Sequence, residues 1–292
     1  MGKIYLPEGT VKEGKILNSE KVTAALKELW HRNGFITKNV VFGANNSDVI
    51  VRFALFPKLP EEKLSNLIRF QASDYIPYPL EDVELDYSII SEVESEGGHF
   101  YNVLLVAARK DMLYSFIKTL EQAHITIKDI KSTVLVMDRL LPQKHKNDTV
   151  VMVNICFDAC NILILDKNIP AFARTITFNT SINESMKTIY KQTDATGKEQ
   201  YGQNRQNNSN VMLMDKTDSV VDSATDNVIE YISSNIRSSI SYFQSQNRNS
   251  RIERIYLMGS AVSSIEMVEE LVKSLEDNIG RYMEVLRPCS YL

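Results

Sequence analysis

The amino-acid sequence predicts an α/β protein with two domains. The chain of 292 residues is about twice as long as a typical single domain. Its short apolar runs alternate with amphipathic stretches of helical period, which is typical of strands and helices that follow one another along a chain. Its hydrophobic fraction of 43% and its charged fraction of 24% are those of an ordinary globular protein, and they argue against a disordered chain.

No segment of the sequence reads as a membrane span or a signal peptide. The longest apolar stretch, residues 150–165, is interrupted by Asn154, Asp158 and Asn161. It therefore cannot serve as a transmembrane helix, which needs about 20 apolar residues. The first seven residues lack the continuous apolar region of a signal peptide. We therefore predict a cytoplasmic protein that reaches a membrane only through a partner.

Charge and cysteine content narrow the function classes further. The net charge is −4, and the basic residues are scattered among acidic ones, which argues against a nucleic-acid-binding protein. The three cysteines, Cys156, Cys160 and Cys289, form no Cys-x-x-Cys pair, and the histidines show no ligand spacing with them. We predict that the cysteines are small core residues and that there is no metal site.

The first half of the chain divides into helices and strands at clear signals. Ser19 is predicted to cap a helix that ends at Gly34, and Pro60 to begin a helix that ends before Pro77. The other elements predicted here are strands at residues 39–42, 49–56, 85–91, 101–107 and 125–130, and helices from residue 111 and over residues 133–141. The order strand, helix, strand, strand, helix within residues 47–125 predicts a compact inserted subdomain.

The second half begins after a polar connector at residues 142–148, which we interpret as the boundary between a first domain (1–146) and a second (147–292). The predicted elements are strands at residues 149–156, 161–165, 171–177, 255–258 and 283–286, and helices at residues 181–191, 218–246 and 264–275. Residues 193–210 are rich in Gln, Asn and Gly and are predicted to form an exposed mobile loop.

The common catalytic motifs GxSxG, HExxH, GxxxxGK[ST] and GxGxxG do not occur in the sequence. Two turns remain as candidate phosphate sites. The first is the hairpin turn after Asn154 and Cys156, whose amides could bind an anion, although Asp158 opposes it and an ordinary hairpin is the alternative. The second is the turn Gly259-Ser260-Ala261, which follows an apolar strand and precedes a helix. The N–H groups at a helix N-terminus suit a nucleotide phosphate, but any tight strand-to-helix turn also favours small residues.

A family resemblance accompanies these signals and covers nearly the whole chain. It rests on five stretches in the family's order, which are residues 6–16 (LPEGTVKEGKI), 70–87 (FQASDYIPYPLEDVELDY), 103–110 (VLLVAARK), 236–246 (IRSSISYFQSQ) and 252–261 (IERIYLMGSA). The chain resembles type IV pilus assembly proteins of the PilM type, which are members of the actin-like ATPase superfamily related to the division protein FtsA.

The resemblance implies an actin-like (ribonuclease H-like) two-domain fold with an inserted strand-helix-strand-strand subdomain at about residues 47–125. Relative to the family, the sequence lacks the usual N-terminal hairpin, with its Asp-x-Gly phosphate motif, before residue 6. It also lacks the last strand and helix that follow the region of residues 286–288.

The resemblance also implies a nucleotide site, for ATP or ADP with magnesium, at Asn154, Cys156, Gly259, Ser260 and Ala261. The family's second phosphate motif reads Asp-x-Gly where this sequence has Asn154 and Cys156, and Gly259-Ser260 replaces a Gly-Gly pair. Phosphoryl transfer depends on Mg²⁺ and water placed beside the γ-phosphate. We therefore expect degenerate or weak nucleotide binding and assign no catalytic residue.

A partner is implied as well, namely the cytoplasmic tail of an inner-membrane protein of the PilN type, bound between the core and the inserted subdomain. By position, Tyr75, Ile76, Pro77 and Tyr78 are expected near that groove, where aromatic side chains beside a proline suit a peptide. The alternative is that they cap the core of the insert. Other pilus assembly proteins and self-association are further partner classes. Two other functions stay open, an active ATPase of the superfamily and the cytoplasmic actin-like component of a type II secretion system.

Overall fold

The computed structural model describes residues 2, 4, 6–7, 9–12, 14–95, 97–199, 214–247, 250–259, 265–279 and 282–286. In chain order the elements are β1 (Val11–Lys12), β2 (Lys15–Ile16), α1 (Ser19–Asn33), β3 (Asn39–Ala44), β4 (Val49–Pro57), α2 (Glu61–Gln71), β5 (Val83–Ser95), β6 (Gly98–Arg109), α3 (Lys110–Gln122), β7 (Thr126–Ser132), α4 (Thr133–Val136), β8 (Thr149–Ile155), β9 (Ala159–Asp166), β10 (Ile169–Thr177), α5 (Thr180–Glu199), α6 (Met214–Gln246), β11 (Arg254–Met258), α7 (Ile265–Ile279) and β12 (Tyr282–Val285). The chain divides into two compact units, Met1–Lys146 with Leu163–Ile176, and Asn147–Ile162 with Thr177–Leu292.

Helix α1 shows how local signals decide an element's ends. Its N-cap is Asn18, whose backbone is extended and whose side-chain oxygen accepts the N–H of Lys21 at 3.0 Å. The prediction that Ser19 is the cap was wrong, because Ser19 is already helical and its hydroxyl oxygen lies 2.9 Å from that of Thr119. The helix ends at Gly34 in the left-handed conformation, as predicted.

The inserted segment folds as an antiparallel sheet covered by one helix. Its strand order is β4-β6-β5, and α2 lies between β4 and β5 in the chain, which confirms the predicted strand-helix-strand-strand order. One face of the sheet packs on α2 through a fully apolar cluster, which consists of Ala54, Phe56, Leu64, Ile68, Val103 and Leu105. Because side chains alternate along each strand, residues of the opposite face such as Val49 and Val106 pack instead with Met112 of α3.

Helix α3 also packs on elements outside the insert. The parallel strands β3 and β7 form a two-stranded sheet. Phe116 of α3 lies 4.7 Å from Phe42 of β3, measured between ring centroids. Farther along α3, Leu120 packs in a cluster with Leu26 and Trp30 of α1. The helix predicted as the last element of the insert therefore joins it to α1 and to the β3–β7 pair.

The second large sheet has the strand order β10-β9-β8-β11-β12, with β8 parallel to β11 and β11 parallel to β12. Six of the seven residues of β8 are buried, and the exception is Asn154. A strand buried on both faces reads as a continuous apolar run, which is the pattern seen in the sequence. The β9–β10 hairpin turns at Lys167 and Asn168, whose φ angles are 51° and 65°.

Helix α5 is longer than predicted. It continues through residues 193–199, which were expected to belong to a mobile loop, and it packs against α6. The expectation was wrong there, since a helix that has already begun adds further residues at little cost even where local preferences are weak. The remainder of that predicted loop, residues 200–210, lies outside the described residues.

Two further expectations concern the burial of the cysteines and the absence of a membrane-spanning helix. Cys160 is buried in β9 and Cys156 is half-buried, whereas Cys289 lies outside the described residues. Among the helices that the structure describes, none combines the length and apolar content that crossing a bilayer requires.

Candidate functional site

The first candidate site lies at the carboxyl ends of β8 and β11. The two strands are parallel, and their register places Met258 beside Asn154, the penultimate residue of β8. Parallel strands end at the same edge of a sheet, and ligands of α/β proteins bind at that edge. The topology therefore brings Gly259 to Asn154 and Cys156, which lie about a hundred positions earlier in the sequence.

Asn154 and Cys156 contact each other at this edge. The Nδ2 group of Asn154 donates a hydrogen bond to the Cys156 sulfur at 3.2 Å. The backbone N–H of Cys156 donates to the carbonyl oxygen of Ala159 at 2.8 Å, which closes the hairpin turn between β8 and β9. Within this turn Phe157 is 42% exposed. The site thus presents an amide, a thiol, an aromatic side chain and the half-buried carboxylate of Asp158.

Gly259 lies directly against the end of β8. Its φ angle is 115°, and a Cβ atom built on it would lie 2.2 Å from the carbonyl oxygen of Ile155 and 2.7 Å from Oδ1 of Asn154. Backbone atoms of the protein itself, rather than open space, would collide with a side chain here. Packing against β8 therefore explains the glycine without a ligand. Ser260 and Ala261, the other predicted residues of this turn, lie outside the described residues.

The donor set of this edge does not fit a magnesium ion. Magnesium prefers carboxylate oxygens and water, whereas Asn154 and Cys156 provide an amide and a soft thiol. Throughout the described part of the chain, no group of three or more His, Cys, Asp and Glu side chains is arranged to hold a metal ion. The amide and backbone groups suit a neutral or anionic ligand instead.

The second candidate site, the segment Tyr75–Tyr78, divides into inward and outward residues. Ile76 is 3% exposed and packs with Val83 and Ala107 in the core of the insert. Tyr75 and Tyr78 are both half-buried and pack on the same cluster, and the Tyr75 ring centroid lies 6.0 Å from that of Phe56. Pro77 is exposed. Of the four predicted partner-binding residues, Ile76 is therefore a core residue, the two tyrosines are partly exposed, and Pro77 is exposed.

Tyr78 has a charged neighbour that sequence reasoning missed. The guanidinium carbon of Arg109 lies 5.5 Å from the centroid of the half-buried Tyr78 ring. Arg109 also donates from its Nε atom to the Asp111 carboxylate at 3.1 Å. No local signal pairs residue 78 with residue 109, because the antiparallel register of β5 and β6 creates the proximity by pairing Val83 with Arg109.

This charge cluster perturbs the ionisable groups. The hydrogen bond to Asp111 raises the pKa of Arg109 above its ordinary value. Burial raises the pKa of Asp111, but the hydrogen bonds from the Met112 N–H and from Arg109 outweigh it, so that the pKa is lowered overall. At neutral pH both groups are therefore charged, and Arg109 stays fixed beside Tyr78.

A second ion pair lies where the chain enters and leaves the insert. Lys15 Nζ lies 2.9 Å from Oδ2 of the buried Asp48, and the Arg109 N–H donates to the Asp48 carbonyl at 3.3 Å. Asn46 adds a hydrogen bond from its Nδ2 to the Gly14 carbonyl at 3.2 Å. The β1–β2 hairpin is thereby tied to the point where the chain enters and leaves the insert.

Comparisons with known proteins agree with the resemblance seen in the sequence. The family model described as type IV pilus assembly protein PilM matches residues 1–291. Among solved structures, the chain is similar to a protein of a "PilM-PilN type IV pilus biogenesis complex", with 21% identity, a TM-score of 0.73, and coverage of 97% of this chain and 79% of that chain. This likeness confirms the predicted actin-like α/β fold.

Two more distant structures are similar at lower TM-scores. MreB5 of Spiroplasma citri bound to ADP shows 9% identity and a TM-score of 0.47, with 95% of this chain and 73% of that chain covered. The ethanolamine utilization protein EutJ from Carboxydothermus hydrogenoformans shows 12% identity and a TM-score of 0.45, with 94% and 72% covered.

Proposed function

The chain belongs to the family of type IV pilus assembly proteins PilM, and from this premise we propose that it is a cytoplasmic scaffold that docks the cytoplasmic tail of an inner-membrane PilN-type partner. The similar solved structure is that of a PilM-PilN complex, and this supports a partner of the same kind. In this proposal the protein reaches the inner membrane through that partner. Fractionation of cells with and without the partner tests the location: the protein should leave the membrane fraction when the partner is absent.

The observation that carries the docking proposal is the exposed Pro77 beside the partly exposed ring of Tyr78. Pro77 is exposed, and Tyr78 presents a ring held by the Arg109 guanidinium. A rigid proline beside a fixed aromatic ring binds a peptide at a small cost in conformational entropy. We therefore assign the docking contacts to Pro77, Tyr78 and Arg109, while Tyr75 and Ile76 support them from the core.

Calorimetric titration with a synthetic peptide of the partner's cytoplasmic tail tests this assignment. Tyr78→Ala should weaken binding by about tenfold, the effect of losing one aromatic contact at an interface. Tyr114→Ala is the matched control, since Tyr114 is a 59% exposed tyrosine on α3. Equal affinities of the wild type and Tyr78→Ala would overturn the assignment. Ile76→Ala is unsuitable as a binding test because it removes a core side chain.

We further propose that the edge formed by Asn154, Cys156 and Gly259 binds ATP or ADP weakly and without magnesium. The support is the pair of uncharged groups on Asn154 and Cys156 at the ends of parallel strands, and the nearby Asp158 is one reason why the binding is weak. An amide at residue 154 avoids the repulsion that a carboxylate would exert on a phosphate, and it removes the need for a bridging cation.

Equilibrium binding of fluorescent ATP and ADP, with and without Mg²⁺, tests the nucleotide proposal. The wild type should bind equally well in both conditions. Asn154→Asp should bind more weakly without Mg²⁺ and recover when Mg²⁺ is added, because the new carboxylate repels phosphate and ligates the cation. Asn168→Asp, a change at the exposed β9–β10 turn, is the control. Magnesium-dependent turnover by the wild type would contradict the proposal and favour an active ATPase.

A further inference from the structure

A groove runs between α3 and the outer edge of β7. Its volume is about 650 Å³, and its walls include Ile117 and Glu121 of α3, His124 and Ile125 between the two elements, and Ile127 and Lys128 of β7. The other edge of β7 pairs with β3. Within the part of the chain that the structure describes, the edge that faces the groove pairs with no strand.

The hydrogen-bond pattern shows which backbone groups point into the groove. The N–H of Thr126 donates to the Lys38 carbonyl at 2.8 Å, so Thr126 faces the β3 side. Alternate residues of a parallel strand bond to opposite neighbours, and the N–H and C=O of Ile127 therefore face the outer edge. A bulge follows opposite Val40 and Val41, which limits the regular edge to the first residues of β7.

The floor of the groove is apolar and fixed in place. Ile125 is buried, and it packs with Leu120 and Ala123 of the helix end and with the half-buried Ile127. The end of α3 is held by a hydrogen bond from the Ile125 N–H to the Leu120 carbonyl at 2.9 Å. A preformed apolar floor beside an open strand edge is the arrangement by which a sheet accepts an added strand.

Two charges on the rim have opposite signs. Glu121 and Lys128 are exposed, and neither forms an ion pair with another described residue. The neighbouring Asp129 is neutralised by Lys131, whose Nζ lies 2.7 Å from its carboxylate. The rim therefore presents a negative charge from the end of α3 and a positive charge from β7 to whatever enters the groove.

We propose that this groove binds an extended segment of a partner protein, which adds a strand beside β7 and places an acidic side chain at Lys128 and a basic one at Glu121. Only a peptide chain in extended conformation supplies both the backbone groups that Ile127 requires and alternate apolar side chains for the floor. The site goes beyond the proposed docking at Pro77 and Tyr78 and shares no residue with it. The short regular edge keeps the affinity weak, with a Kd between the micromolar and the millimolar range.

Fluorescence polarisation with a labelled synthetic peptide tests the proposal on the full chain. The probe alternates Val and Thr between a terminal Lys and a terminal Glu, and it is made in both sequence directions. We expect saturable binding of at least one direction, with a Kd below about 1 mM. Ile117→Arg should weaken it by about tenfold because the guanidinium fills the groove. Tyr78→Ala should leave it unchanged, which separates this site from the tail-docking site.

Charge exchange provides a second, independent measurement. Lys128→Glu should weaken binding by about fivefold, and replacing the probe's Glu by Lys should restore it. Lys118→Glu, at an exposed position of α3, is the matched control with the same change in net charge. Hydrogen exchange should show new protection of the Ile127 amide. Absence of saturation, equal effects of the two lysine variants, or loss of a dimer in the Ile117→Arg variant would overturn the proposal, the last in favour of a second copy of the chain.

Discussion

Gly34 and His124 occupy the same position of the same helix-ending motif. Each follows its helix in the left-handed conformation, with φ angles of 60° and 59°. The Gly34 N–H donates to the His31 carbonyl and the Phe35 N–H to the Trp30 carbonyl, and the His124 and Ile125 N–H groups repeat this pattern at the end of α3. Helix α1 thus ends at a glycine, which adopts the left-handed conformation without strain, whereas α3 ends at a histidine, which is strained in that conformation.

Reciprocal substitutions should therefore change stability with opposite signs. His124→Gly should raise the free energy of unfolding by about 0.5 kcal/mol, because relief of left-handed strain exceeds the entropy that glycine adds to the unfolded chain. Gly34→His should lower it by about 1 kcal/mol, since no atom lies within 4 Å of a Cβ at residue 34 and only the conformational strain is added. Urea denaturation monitored by circular dichroism measures both. A loss of stability in His124→Gly would contradict the prediction.

Gly259→Ala should destabilise the protein more than replacement of a glycine that has open space around it, such as Gly34. A Cβ at residue 259 meets the Ile155 carbonyl at 2.2 Å in addition to the strain of a positive φ. We expect a loss of about 3 kcal/mol in the free energy of unfolding. Gly34→Ala carries the strain without the collision and should cost about 1 kcal/mol. Similar losses in the two variants would show that β8 and the turn separate easily.

Ile76→Ala should mainly lower stability, whereas Pro77→Ala, at the next residue, should mainly weaken binding of the partner's tail. Ile76 is buried with Val83 and Ala107, so its truncation should lower the free energy of unfolding by about 3 kcal/mol. Pro77 is exposed, and its replacement should change stability by less than about 0.5 kcal/mol while it weakens the partner tail's binding. Thermal melts and peptide titrations of the same preparations provide the comparison. A stable Ile76→Ala variant would show that the cluster repacks.

The ion pair of Lys15 and Asp48 predicts that the free energy of unfolding falls at alkaline pH. The hydrogen bond between the two side chains raises the pKa of Lys15 above 10.5. A raised lysine pKa adds stability that is complete below the unfolded-state pKa and is lost as the pH rises through the folded-state pKa. Because the Lys15 side chain is 45% exposed, the contribution is about 0.5 kcal/mol.

Urea denaturation across a pH series measures this contribution. The difference between the wild type and Lys15→Met should be constant from neutral pH to about pH 10 and should shrink above it. Lys63→Met, at an exposed position of α2, is the control. Its difference from the wild type in the free energy of unfolding should stay constant over the same pH range. A difference that is lost on acidification alone would assign the effect to a carboxylate rather than to Lys15.

Much of the fold was predictable because its signals are local. The apolar run of β8 and Gly34 each report a nearby constraint, namely burial on both faces and a positive φ. The confusion of Asn18 with Ser19 shows the limit of such signals. Both residue types cap helices, and only the backbone conformation of Asn18 decides between them.

The sequence by itself determined the order of strands and helices, the α/β class and the family resemblance, because hydrophobic period, turn residues and motifs are properties of neighbouring residues. Tertiary structure alone decided which distant residues meet. Strand register placed Arg109 beside Tyr78, buried Ile76, and brought Gly259 against Ile155. The physical reason is that register and packing depend on the free energy of the whole fold, so no short window of sequence contains them.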